Sequence, residues 1–218
     1  GTDILVARTT TSSVARLLNN GTGTFTVTPG FVGSLNGALE MVSSDFNGDN
    51  RPDFVVTSST GVTVYACQNM MGTSYVCKTA TGPQINASVD AADVNSDGKM
   101  DFVVASPLSN VVMAHTGDGN FNFTQNDTNG IATNWTDLKL ADINKDGYTD
   151  IVYGSSGNAV GVCLGKNDGT FSAATGIRAT TSPVNRLAIG QFNAGADQKD
   201  DFAAATNAGI QYALSSAQ

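Results

Sequence analysis

Charge is scarce in this 218-residue chain: Asp, Glu, Lys and Arg make up 14% of it, against about a quarter in ordinary globular domains. Eleven basic residues face nineteen acidic ones, for a net charge of −8 and a pI near 4.3. With no basic stripe to neutralise phosphate, a nucleic-acid partner is excluded. The single histidine, His115, leaves little scope for a Ser-His pair or a zinc site, and neither G-x-S-x-G nor H-E-x-x-H occurs. "GTGTFT" and "GDGNFN" fail the dinucleotide-binding glycine pattern. No apolar run approaches the ~20 residues needed to span a bilayer, and no basic-then-apolar leader opens the chain. It starts Gly-Thr, as expected of a processed form or a fragment. No segment keeps a capped helical period. The expectation is a non-enzymatic, all-β protein.

What the chain does contain is repetition. An aspartate precedes an apolar run five times: "DILVA" at Asp3, "DFVVT" at Asp53, "DFVVA" at Asp101, "DIVYG" at Asp150 and "DFAAA" at Asp201. The spacings are 50, 48, 49 and 51 residues. Each run has the apolar continuity of a strand covered on both faces. A second strand follows each one, and in the first four units a glycine-rich turn then leads to an aromatic: Phe25, Tyr75, Phe121 and Phe171. Further apolar alternation precedes each aspartate loop, as in "LKLAD" (138–142). Four strands per repeat of about 49 residues predict a β-propeller of four to five blade units. It reads as one domain over 1–218, with units near 3–44, 45–92, 93–141 and 142–190 and a partial unit at 191–218.

Three loops concentrate the acid: "DFNGDNRPD" (45–53), "DVNSDGKMD" (93–101) and "DINKDGYTD" (142–150). Side-chain oxygens recur at positions one, three, five and nine. They belong to Asp45, Asn47, Asp49 and Asp53, to Asp93, Asn95, Asp97 and Asp101, and to Asp142, Asn144, Asp146 and Asp150. Position seven (Arg51, Lys99, Tyr148) offers a backbone carbonyl. Such a set of hard oxygens suits Ca²⁺, and three ions would bring the formal charge to about −2. Gly98 and Gly147 at position six permit a sharp turn, and Asn50 tolerates one. No glutamate stands at position twelve, so these are not EF-hands. Asp-Asn-Gly clusters are also plain turn formers, but three copies in phase argue for metal. In the fourth loop (191–201) Gln191 replaces the first aspartate, and that loop is expected to bind calcium weakly or not at all.

"DFNGDNRPDFVV", "DVNSDGKMDFVV" and "GVCLGKNDGTF" resemble the FG-GAP/VCBS-type repeat of integrin-α-like propellers and of some fungal and bacterial lectins. The resemblance implies a calcium-binding propeller, extracellular, secreted or at the cell surface. Its role would be binding or adhesion, with a carbohydrate or protein ligand at the blade loops.

Cys67 and Cys77 flank the second hairpin turn, where other repeats carry an apolar cross-strand pair (Leu17 and Val27, Met113 and Phe123). They are expected to form a disulfide, as suits an oxidising compartment. Cys163 reads as a buried free thiol, His115 as exposed and idle, and Trp135 as packing. The units supply three, four, four, four and three strands. The terminal strand edges therefore suggest either a piece of a longer propeller or, as an alternative role, a structural subunit of an extracellular assembly or filament, self-associating by strand pairing.

Overall fold

β-Branched and aromatic residues fill the aspartate-led runs, and tight polar turns end them, so the runs become strands. The computed structural model describes residues 2–61, 63–71, 74–82, 88–106, 108, 111–129, 134–192 and 200–213. Among these are eighteen strands and no helix, hence no helix able to cross a membrane.

Sheet one is β1 (Ile4–Arg8), β2 (Ser13–Asn19) and β3 (Phe25–Val32). Sheet two is β4 (Ala38–Ser44), β5 (Asp53–Ser58), β6 (Thr63–Met70) and β7 (Ser74–Thr81). Sheet three is β8 (Ser88–Ala92), β9 (Asp101–Ala105), β10 (Val111–Gly117) and β11 (Phe123–Asn129). Sheet four is β12 (Trp135–Ala141), β13 (Asp150–Ser155), β14 (Ala159–Cys163) and β15 (Thr175–Ala179). Sheet five is β16 (Val184–Gly190), β17 (Asp201–Thr206) and β18 (Gly209–Ala213). Every sheet is an antiparallel meander. Sheets and sequence repeats are out of phase. Residues 45–92 hold β5 to β7 of one sheet and β8 of the next, because each aspartate loop joins the first and second strands of a sheet.

The first strands β4, β8, β12 and β16 pack side by side in succession, so the sheets fan about a shared inner line. Four apolar cores fill the spaces between neighbours. Phe54, Val56 and Cys67 of sheet two meet Leu5, Ala7 and Val14 of sheet one. Phe102 and Val104 of sheet three meet Val55, Val64 and Ala66 of sheet two. Ile151, Tyr153 and Cys163 of sheet four meet Val103, Ala105 and Val112 of sheet three. Val184, Leu187 and Ala204 of sheet five meet Val152 and Val160 of sheet four. The residues after each aspartate alternate between the sheet behind and the sheet ahead, which explains their apolar continuity. At about 1.5–3 kcal/mol per fully buried large apolar side chain, these cores dominate the stabilisation.

Trp135 is fully buried, tilted against Tyr153 with ring centroids 4.6 Å apart. Cys67 and Cys77 pair directly across β6 and β7 and are disulfide-bonded, whereas Cys163 is free and buried. Burial, with the nearby Asp150 charge, pushes the Cys163 thiol up to about 12.

The third hairpin corrects the sequence register by two residues. Phe102 pairs with His115, as Phe54 pairs with Cys67, and His115 faces Gln125. The counterpart of the cysteine pair is therefore His115 and Gln125 rather than Met113 and Phe123, and the aromatic in phase with Tyr75 is Phe123 rather than Phe121. His115 is accordingly buried, not exposed. Its ring stacks on Phe102 at 4.4 Å and its Nε2 lies 2.9 Å from the Thr81 carbonyl oxygen.

Reduction of Cys67–Cys77 releases a constraint across a separation of 10 residues. The expected loss is roughly 2–3 kcal/mol, measurable as a lower denaturation midpoint in dithiothreitol that Cys67→Ser/Cys77→Ser reproduces.

Candidate functional site

The three aspartate loops turn through one backbone path. Positions four and six are left-handed in each: Gly48 (φ 74°) and Asn50 (φ 60°), Ser96 (φ 57°) and Gly98 (φ 80°), Lys145 (φ 64°) and Gly147 (φ 89°). Position six was legible from its residue types. Position four was not, since serine and lysine carry no preference for a conformation that costs them about 1–2 kcal/mol.

The position-one aspartate holds this turn. Asp45 Oδ1 accepts the N–H groups of Asn47, Gly48 and Asp49 at 3.3, 2.8 and 3.1 Å, and its Oδ2 accepts Asn50 N–H at 2.7 Å. Asp93 accepts from Asp97 and Gly98 at 3.2 and 2.8 Å, and Asp142 from Asp146 and Gly147 at 3.1 and 2.9 Å. Asn47, Asn95 and Asn144 each accept the N–H of the position-five aspartate. Asp49, Asp97 and Asp146 in turn accept the position-seven N–H at 2.9 Å. The position-seven side chains differ: Arg51 pairs with Asp49 at 2.5 Å, Lys99 with Asp97 at 3.7 Å, and Tyr148 is exposed.

The position-nine aspartate has a different setting. Asp53, Asp101 and Asp150 are fully buried. One oxygen of each accepts the position-two N–H, from Phe46 at 3.1 Å, Val94 at 2.9 Å or Ile143 at 3.1 Å. The other accepts an N–H from the end of the third strand or just beyond it, that of Asn69 at 2.7 Å, Gly117 at 2.7 Å or Gly165 at 2.9 Å. The carboxylate thus clasps its loop to its hairpin. At Gly117 the approach is too close for a side chain, since a Cβ there would lie 2.5 Å from the Met100 carbonyl oxygen. In the fourth loop residues 193–199 lie outside the described residues, so the expectation of weak binding is left aside. The loop side of the clasp is present there, with Phe192 N–H donating to Asp201 at 2.8 Å.

Electrostatics separates the two kinds of aspartate. Burial raises Asp45, but four backbone donors outweigh it and hold this carboxyl below its ordinary range. Burial raises Asp53, Asp101 and Asp150; backbone donors offset part of this, while the upstream aspartates of the same loop add to it. Asp101 is pushed up to about 6.

Among the described residues no three acidic, histidine or cysteine side chains converge as a metal cage. The chemistry of the donors nevertheless fits a hard cation. Each loop presents carboxylate and amide oxygens on a repeated turn, beside the Arg51 and Lys99 cations in two of them, and an oxygen accepting one N–H retains a lone pair.

Between sheets two and three lies a cleft of about 350 Å³. Its lining includes the buried Phe121 and His115 and the half-buried Phe123, and Lys78, Asn122 and Gln125 supply polar groups. Lys78 Nζ donates across it to the Phe121 carbonyl at 3.1 Å and to Asn122 Oδ1 at 3.0 Å. The sequence did not single out this cleft, because its residues come from two repeats and share no spacing.

A sequence model of the FG-GAP-like repeat matches residues 2–56, 45–104 and 93–153. No curated protein matches significantly. Several solved structures share the fold. One is an Agrocybe aegerita lectin described as recognising non-reducing terminal N-acetylglucosamine, at 13% identity and TM-score 0.50, covering 93% of this chain and 74% of the lectin. Another is BBS1N in complex with ARL6DN, at 10% identity and TM-score 0.59, covering 96% of this chain and 62% of BBS1N. The Photorhabdus luminescens Tc holotoxin pore follows at 14% identity and TM-score 0.52, covering 97% of this chain and 11% of the toxin chain.

The raised Asp101 gives a signed pH dependence. Its folded value of about 6 lies above the ordinary 3.8. Its stabilising contribution is therefore complete below that lower value and is lost as pH rises through about 6. The depressed Asp45 acts only below its ordinary 3.8. Chelator-treated protein should consequently melt higher at about pH 5 than at neutrality, and saturating calcium should abolish or invert that trend in differential scanning calorimetry.

Proposed function

The chain belongs to the FG-GAP-like repeat family, and from that premise we propose that it is a calcium-stabilised β-propeller module, non-enzymatic and extracellular, that binds carbohydrate. Its five sheets serve as blades about an axis lined by β4, β8, β12 and β16. One calcium ion per loop would be held by Asp45, Asn47, Asp49, the Arg51 carbonyl and Asp53. The equivalent sets are Asp93, Asn95, Asp97, the Lys99 carbonyl and Asp101, and Asp142, Asn144, Asp146, the Tyr148 carbonyl and Asp150. The ion supplies fixed positive charge beside a buried carboxylate. The chain's own residues set the turn, clasp the hairpin and keep water from the clasp. The Cys67–Cys77 disulfide supports an oxidising compartment.

One observation carries the binding reading: the cleft between sheets two and three brings the half-buried Phe123 ring together with the polar groups of Lys78, Asn122 and Gln125. That combination suits a sugar ring, whose C–H face packs on aromatic carbon while its hydroxyls meet amide and ammonium groups. Similarity to a lectin supports the ligand class. Lys78 and Gln125 would orient the sugar.

Titration calorimetry against N-acetylglucosamine-terminated glycans, in calcium, tests the reading. Binding is expected, weakened about tenfold or more (~1.4 kcal/mol) by Lys78→Ala or Gln125→Ala. A silent glycan array, or affinity untouched by both substitutions, would overturn it. Chelation should lower the melting temperature of the unliganded protein markedly.

A further inference from the structure

The cleft between sheets two and three holds a cation without an anion. Lys78, on β7, faces Ala66 in its own sheet and reaches over to sheet three. Its Nζ donates to two neutral oxygens, the Phe121 carbonyl at 3.1 Å and Asn122 Oδ1 at 3.0 Å, and lies 5.8 Å from the centroid of the Phe121 ring. Among the described residues Lys78 pairs with no carboxylate, whereas Arg51, Lys99, Lys139 and Lys145 each do. No acidic residue is among those lining the cleft. In a chain of nineteen acidic and eleven basic residues, this is a local reversal of sign. The one acid bonded into the network, Asp118, is occupied: it accepts Asn120 N–H at 2.7 Å, Asn122 N–H at 3.2 Å and Asn122 Nδ2 at 2.9 Å.

The scaffold does not call for this charge. Thr28 and Asn126, both neutral, hold the same repeat position, facing Arg16 and Ala114 as Lys78 faces Ala66. An ammonium group has three N–H donors. Two are spent on sheet three, and the third belongs to an exposed side chain on the cleft wall.

We propose that the glycan taken by this cleft is acidic, a carboxylate or sulfate on or beside its terminal sugar accepting the remaining Lys78 N–H; this rests on the carbohydrate reading above. A neutral ring laid over the ammonium strips water from a charge and returns only a hydroxyl. An oxyanion returns a charge-assisted bond, about twice as strong as a neutral one. The net charge of the chain opposes this weakly, because at physiological salt a screening length of about 8 Å damps distant carboxylates far more than a pair in contact. A volume of about 350 Å³ is near the small end for ligand clefts, so the acid group has to lie within a short stretch of glycan.

Titration calorimetry in calcium compares three probes: N-acetylglucosamine linked to glucuronic acid, the same disaccharide with its carboxyl reduced to the alcohol, and that alcohol as its sulfate ester. At least one acidic probe should bind about tenfold or more tighter than the neutral one, and which of them does so identifies the group. Lys78→Gln, which removes the charge and keeps an N–H donor, should bring the acidic-to-neutral ratio close to one. Lys166→Gln, at an exposed position on the hairpin of sheet four, should leave that ratio unchanged. Should Lys78→Gln lose its circular-dichroism spectrum, wild type in about 1 M NaCl, where the screening length is about 3 Å, takes its place, and the ratio should narrow there. Equal binding of all three probes would overturn the inference and leave the carbohydrate reading standing. A preference that survives Lys78→Gln would overturn it too. So would silence of all three, and the glycan array then shows whether the carbohydrate reading falls with it.

Discussion

A carboxylate buried at the start of the second strand, with both oxygens taken by backbone N–H groups, is the joint on which the described sheets two to four turn. Asp53, Asp101 and Asp150 each fasten an aspartate loop on one side and a hairpin end on the other. Asparagine could not replace them without turning an N–H₂ toward an N–H. Removing either backbone donor would leave a buried charge under-solvated, which costs several kcal/mol. The arrangement carries its own penalty, since burial and the upstream aspartates both disfavour the ionised form.

Most of this architecture was legible because it repeats. Strand runs, loop aspartates and the cysteine pair stand at fixed offsets, and a periodic signal survives even when single positions vary. Legibility failed where periodicity misled. The third hairpin turn holds two aromatics, Phe121 and Phe123; turn spacing points to the first, but it is Phe123 that faces Gly117 as Tyr75 faces Asn69. The same two-residue offset hides the burial of His115, because a lone histidine gives no hint of the face it occupies.

The inner line of the fan was invisible for a different reason. Glu40, the only glutamate in the chain, shares a repeat position with Ser88, Asp137 and Arg186. Four unrelated residue types leave no repeat signature, yet they interact. Buried Asp137 accepts Ser88 Oγ at 3.0 Å and Leu187 N–H at 2.7 Å, tying three sheets together. Asp90 does likewise toward Leu140 N–H at 2.9 Å. Burial and the Asp137 charge raise the Glu40 carboxyl. Periodicity reveals what each unit does for itself, and it hides what the units do for one another.

The aspartate clasps close over 15 or 16 residues on the hairpin side, and the Asp137 and Asp90 ties reach about one repeat, 49 or 50 residues. Among the described residues, none of these ties skips a sheet. A chain wired in this way can assemble progressively as it leaves the ribosome, each sheet condensing on its predecessor as a template. Its cooperativity is that of a row of neighbours, so a local lesion frays the adjoining unit before it reaches the far end.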